Sequence, residues 1–182
     1  GLQLTHSGRF CRPNSHKLEP RIAYHHPLLD GKFGIPAADD SIVWTDDDLR
    51  RLIDSYVTAA GVAGDAGFQF VDIKACHGYL LHEFLSARTR PGHFGGDFEG
   101  RTRLLKTIIR RLRDAYPDLM VFVRLSVFDT VPFKTSREAG RPLPFADLLP
   151  YQFGFGVDED HPLQVNLQEP VRLIVELQQL GV

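Results

Sequence analysis

A chain of 182 residues has room for one domain with a sizeable core. With 43% hydrophobic residues, 24% charged residues and a formal net charge of -2, it has the make-up of a soluble globular protein and no electrostatic reason to bind nucleic acid or an anionic membrane. No apolar run nears membrane-span length, and Cys11 and Cys76 have no metal-ligand spacing, so a cytoplasmic protein without a metal site is expected.

The first periodic segment runs from about Asp46 to Ala66. Leu49, Leu52, Ile53, Tyr56, Val57 and Ala60 recur at three- and four-residue spacing, which predicts an amphipathic helix. Thr45 is a suitable N-cap, Asp48 completes a capping box, and Gly67 is a suitable stop. Phe70 to Lys74 reads as a short strand, followed by Ala75-Cys76-His77-Gly78-Tyr79, an apolar stretch from Leu80 to Leu85, and a glycine-rich loop. A second helix is expected from Phe98 to Ala115, with Leu104, Leu105, Ile108, Ile109 and Leu112 on its apolar side. Arg101, Arg103, Lys106, Arg110, Arg111 and Arg113 then read as its solvated face. Met120 to Leu125 reads as a buried strand. Thr130 to Leu163 shows no period and is long for a plain loop. A third helix carries Val171, Leu173, Ile174, Leu177 and Leu180, with Pro170 in its first turn. Alternating strands and helices predict crossovers of a parallel sheet. The chain opens on glycine, has Met120 as its only methionine, and stops at Gly181-Val182 where a next strand is due, so both ends read as cut.

Lys74, His77 and Tyr79 fall together where a predicted strand gives way to its loop, the place where α/β barrels carry their chemistry. Lys74 and His77 can donate to a carbonyl oxygen, and Tyr79 can deliver a proton. His77-Gly78-Tyr79-Leu80 followed by Glu83-Phe84-Leu85-Ser86 resembles the fourth-strand signature of old yellow enzymes. Three further stretches match in collinear order. Gln3 to Arg9 resembles the end of the third strand, Gly95 to Arg101 the glycine-pair loop before the fourth helix, and Val123 to Ser126 the fifth strand.

The resemblance implies a partial (β/α)₈ TIM barrel from the end of strand 3 through helix 5. Residues 1–44 would be the strand 3 end and loop, 45–126 helix 3 to strand 5, 127–166 a long excursion, and 167–182 helix 5. It also implies FMN over the barrel mouth, with Gln3 on its pyrimidine edge and Arg124 on its N1/O2 side. NADH or NADPH would be the transient reductant, and the substrate a small molecule with an activated alkene. By position Lys74 and His77 would hold the substrate's oxygen and Tyr79 would donate the proton. The family's usual first histidine is Lys74 here, a point charge without the geometry of imidazole. The usual asparagine before Arg101 is Gly100.

Structural alternatives stand beside these roles. Tyr79 could be merely packed, His77 a capped loop residue, Lys74 snorkelling or paired with an acid, Gln3 a loop cap, and Arg124 the partner of a structural carboxylate. His25 and His26, next to Tyr24 and Pro27, could line the substrate mouth but read more simply as surface loop, Cys76 reads as a small buried residue, and His16, His82 and His93 receive no role. A rival from another class is a Schiff-base lyase using Lys74 as its nucleophile. A third reading is a chain that is catalytically incompetent by itself. It would lack the first two strands and the phosphate-holding loops after strands seven and eight, bind FMN weakly, and through its open barrel edges admit a homo-oligomer.

Overall fold

The computed structural model describes every residue except Ser15. Three parallel strands make its sheet: β1 (Leu2–Leu4), β2 (Phe70–Ala75) and β3 (Met120–Leu125), in the order β1-β2-β3. Gln3 lies opposite Asp72, and Lys74 opposite Arg124. Four helices follow the strands: α1 (Asp46–Asp65), α2 (Leu80–Leu85), α3 (Phe98–Ala115) and α4 (Gln168–Gln179).

The period of each segment explains its element. In α1 the buried residues are Leu49, Ile53, Tyr56, Ala60 and Ala63, one stripe of a helix. The Thr45 hydroxyl accepts from the Asp48 N–H and the Asp48 carboxylate accepts from the Thr45 N–H, so the expected capping box is formed. Gly67 follows the helix at φ 82°, a left-handed turn that glycine makes without steric cost. In β2, successive side chains point to opposite faces. Val71, Ile73 and Ala75 join the core with Val121 of β3 and the apolar stripes of α1 and α3. Gln3, Phe70, Asp72, Lys74, Phe122 and Arg124 occupy the other face of the same sheet. That face is largely open, with Met120 and Phe122 49% and 47% exposed.

The cations of α3 do not form a uniformly solvated face. Arg101 is fully buried, donating to the Gly96 carbonyl at 3.1 Å, the Leu85 carbonyl, and Glu169 at 2.7 Å. Lys106 is buried between Glu99 and Glu176, at 2.8 Å from each. Both face α4, whose acids sit some seventy positions away in sequence, so the local helical pattern could not reveal them.

The long excursion holds small elements: a hairpin of β4 (Phe133–Lys134) and β5 (Arg141–Pro142), a 3-10 turn at Ala146–Leu148, and bridges Asp129↔Phe155 and Val157↔Val165. Tyr151 and Phe155 anchor it in the interior. No helix among the described residues is long and apolar enough to cross a membrane.

Candidate active site

The site forms where β2 ends. His77 and Gly78 both take left-handed backbone, φ 60° and 68°. This is routine for Gly78 and strained for His77, so the surroundings must hold the turn in place. They do so through backbone N–H groups. Gly78 donates to His82 Nδ1 at 2.8 Å, Tyr79 to the Cys76 carbonyl at 3.2 Å, Leu80 to the His6 carbonyl at 3.1 Å, and His77 to Ser126 Oγ at 3.4 Å. His82 is thus an acceptor at Nδ1, which requires its neutral form with the proton on Nε2. Burial also lowers its pKa below the usual histidine range.

The turn brings three of the five expected residues together. The buried Lys74 side chain runs up from β2, and its Nζ lies 3.3 Å from the centroid of the Tyr79 ring, a close cation–π contact. Tyr79 is half-buried, with its ring against Phe10 at 5.6 Å, and Phe10 packs edge-on against Phe33 at 5.0 Å. The exposed His77 stands at the crest of the turn. Neither the Tyr79 hydroxyl nor the His77 imidazole has a hydrogen-bond partner among the described residues.

Gln3 and Arg124 lie on the same open face. Gln3 Nε2 donates to Asp72 Oδ2 at 2.6 Å, which leaves the carboxamide oxygen free to accept. Arg124 is exposed and has no ion pair among the described residues. Cys76 is buried and its thiol is pushed up by that burial, while Arg124 and Lys74 pull the other way, so both cations are felt at the strand end. The donor set suits a flavin: a free amide oxygen for a ring N–H and a cation for the carbonyl side.

Behind the turn lies a cavity of about 120 Å³ whose walls include Phe10, Tyr24, His26, Phe33, Gly78 and Asp129. His26 is buried, not on a surface loop: Phe153, at 5.3 Å, and Tyr151 cover it from the excursion. Beside this cavity Arg9 bonds Glu83 at 2.8 Å and also Asp30. Burial pushes the Glu83 carboxyl up to about 7, against the pull of Arg9 and of the Ala23 N–H. A larger cavity of about 540 Å³, beside Trp44 and Arg90, includes none of the five expected residues.

Parallel strands with helices over one face, and a polar cluster at the carboxyl end of the middle strand, have the arrangement of a section of an α/β barrel. A histamine dehydrogenase structure from Rhizobium sp. 4-9 shares the fold, at TM-score 0.54 and 23% identity over 68% of this chain and 19% of that one. Residues 1–142 match the NADH:flavin oxidoreductase / NADH oxidase family, and the chain belongs to it. The family pairs FMN with NADH or NADPH. An NADPH dehydrogenase of Bacillus velezensis is 33% identical over 132 residues, covering 71% of this chain and 36% of that protein. An NADH:flavin oxidoreductase of Gibberella zeae is 39% identical over 89 residues, 47% of this chain and 22% of that protein. The chain therefore spans about a third of the first of these relatives. Nothing in these matches supports the Schiff-base reading of Lys74.

Sequence reasoning missed His82, His6, Ser126 and Phe10, which shape the turn without belonging to the chemistry. His82 had a signal, since it falls four residues after a glycine that immediately precedes a helix N-cap.

Proposed function

We propose that the site reduces an activated C=C bond with NADH or NADPH as the source of hydride. When bound on the open face of the sheet, FMN would relay that hydride to the alkene. Gln3 and Arg124 would hold its pyrimidine edge and its N1/O2 side. His77 and Lys74 are donors for the substrate's oxygen, whose negative charge grows as the alkene is attacked. Tyr79 then protonates the α-carbon from its unengaged hydroxyl. The observation that carries this reading is the meeting of Lys74 and Tyr79, at 3.3 Å, at the strand end whose turn also carries the exposed His77.

The test is Tyr79→Phe in the flavin-loaded enzyme. The expected result is a loss of about 10² to 10⁴ in the rate at which an enone reoxidises the reduced flavin, with reduction by NAD(P)H nearly unchanged. Full enone turnover in the variant would remove Tyr79 from the mechanism.

A further inference from the structure

Five cationic side chains are buried among the described residues: Arg9, Lys74, Arg90, Arg101 and Lys106. Four have their counter-charge inside the chain. Arg9 has Asp30 and Glu83, Arg90 has Asp46, Arg101 has Glu169, and Lys106 has Glu99 and Glu176. Lys74 is the exception. It is 8% exposed and among the described residues has only the face of the Tyr79 ring. Its neighbour across the sheet, Arg124, is a second cation without an ion pair among the described residues. The acid on the same strand face, Asp72, is two residues lower on β2 and is engaged by Gln3.

A buried ammonium without a counter-ion is costly, and this chain meets that cost everywhere else with a carboxylate. An ammonium also differs from an imidazole in what it favours. It is a permanent point charge with three donors and no acceptor, matched to an anion more than to a neutral carbonyl. We infer that the missing counter-charge belongs to the substrate, and that the site takes an α,β-unsaturated carboxylate, with Lys74 paired to its carboxylate. This rests on the alkene-reductase reading above.

The chemistry is consistent with that pairing. An ionised carboxylate activates its alkene poorly, because attack at the β-carbon places a second negative charge on the same group. An ammonium buried at the strand end stabilises that charge better than one in water. Hydride enters the β-carbon as the C=C π pair shifts toward the carboxylate. The Tyr79 proton then forms the new C–H bond at the α-carbon, and solvent reprotonates the phenolate. Overall, NAD(P)H and one proton convert the enoate to the saturated acid and NAD(P)⁺.

Equilibrium binding to the flavin-loaded holoenzyme tests the pairing without turnover, using 3-phenylpropanoate against its neutral amide. The carboxylate is expected to bind at least about tenfold tighter, and Lys74→Met, checked for an unchanged melting temperature, should abolish the preference by weakening the carboxylate far more than the amide. Equal binding, or a preference that survives Lys74→Met, overturns the inference. Turnover of 2-cyclohexenone and cinnamate separates the two levels. Tyr79-dependent reduction of the enone without any carboxylate preference sinks only the anionic substrate. A Lys74-dependent carboxylate preference with neither alkene reduced sinks the reductase reading and leaves the anion site standing.

Discussion

His26 shows how burial sets a single residue's response to pH. Burial first, and the Arg9 guanidinium second, lower its pKa from 6.5 to about 4. The folded chain therefore holds His26 neutral where the unfolded chain would protonate it. Between about pH 6.5 and pH 4 the unfolded state binds more protons, so the contribution of His26 to stability is complete above this window and lost as pH falls through it. Glu83 acts with the opposite sign, because its raised pKa makes the folded state the better proton binder below about 7. The effect of His26 is thus read as a difference between proteins. His26→Phe should lower stability at pH 7, since the Leu28 N–H loses its acceptor, yet flatten the decline between pH 6.5 and 4 by up to about 3 kcal/mol. Urea unfolding across that range checks this, and parallel curves for the two proteins would refute it. The burial itself could not be read locally. Tyr151, on the His26 ring, lies 125 positions away. Lys74, His77 and Tyr79 were legible for the converse reason, since one strand end and one turn carry all three.

At the scale of elements, periodicity located α1, α3 and α4, because each buries one stripe against a common core, and short β-rich or apolar runs located β2 and β3, although β3, read as a buried strand, buries only Val121. What periodicity does not show is how closely the ends of elements approach each other, and Gly100 in the first turn of α3 is the sharpest instance. Its N–H is capped by the Asp97 carboxylate at 2.8 Å, and a Cβ built on it would overlap the Gly95 carbonyl oxygen. Helix propensity taken alone says that replacing a helical glycine with alanine gains about 0.5–1 kcal/mol. The backbone approach says the reverse, because a carbonyl in a tight loop cannot swing aside as a side-chain tip can. Gly100→Ala is therefore expected to cost about 1–3 kcal/mol, and Gly100→Asn, which restores the family's usual residue, no less. Denaturant unfolding decides the sign, and a stabilised alanine variant would show that the loop yields. The absent asparagine thus has a structural reason in this chain: the Gly95 loop sits where its side chain would begin.

At the scale of the whole molecule, the sheet is finished on one face and unfinished on the other. Helices bury Val71, Ile73, Ala75 and Val121, while Phe70, Met120 and Phe122 line a face that solvent reaches. Among the described residues β1 and β3 each pair with β2 alone, so both flanks of the sheet present free backbone groups. An open parallel sheet is unusual, since such sheets are covered on both faces where they occur. The barrel was legible in the sequence through its resemblance, but the state of this face was not, because alternation along β2 and β3 shows two faces without saying what covers the second. Free edges beside exposed aromatic side chains invite pairing with another sheet. The 182-residue chain in isolation should therefore self-associate with increasing concentration, seen as a rising mass in light scattering. Phe122→Lys, on the open face and outside the core, should shift it toward monomer while leaving its helical circular dichroism unchanged. If edge pairing dominates over the apolar face, Phe122→Lys will change little and a lysine at Gln3, on the edge strand, will do more. A chain that stays monomeric into the millimolar range would show that neither edge nor face is a sticky surface, and the excursion would then be the segment to examine as its cover.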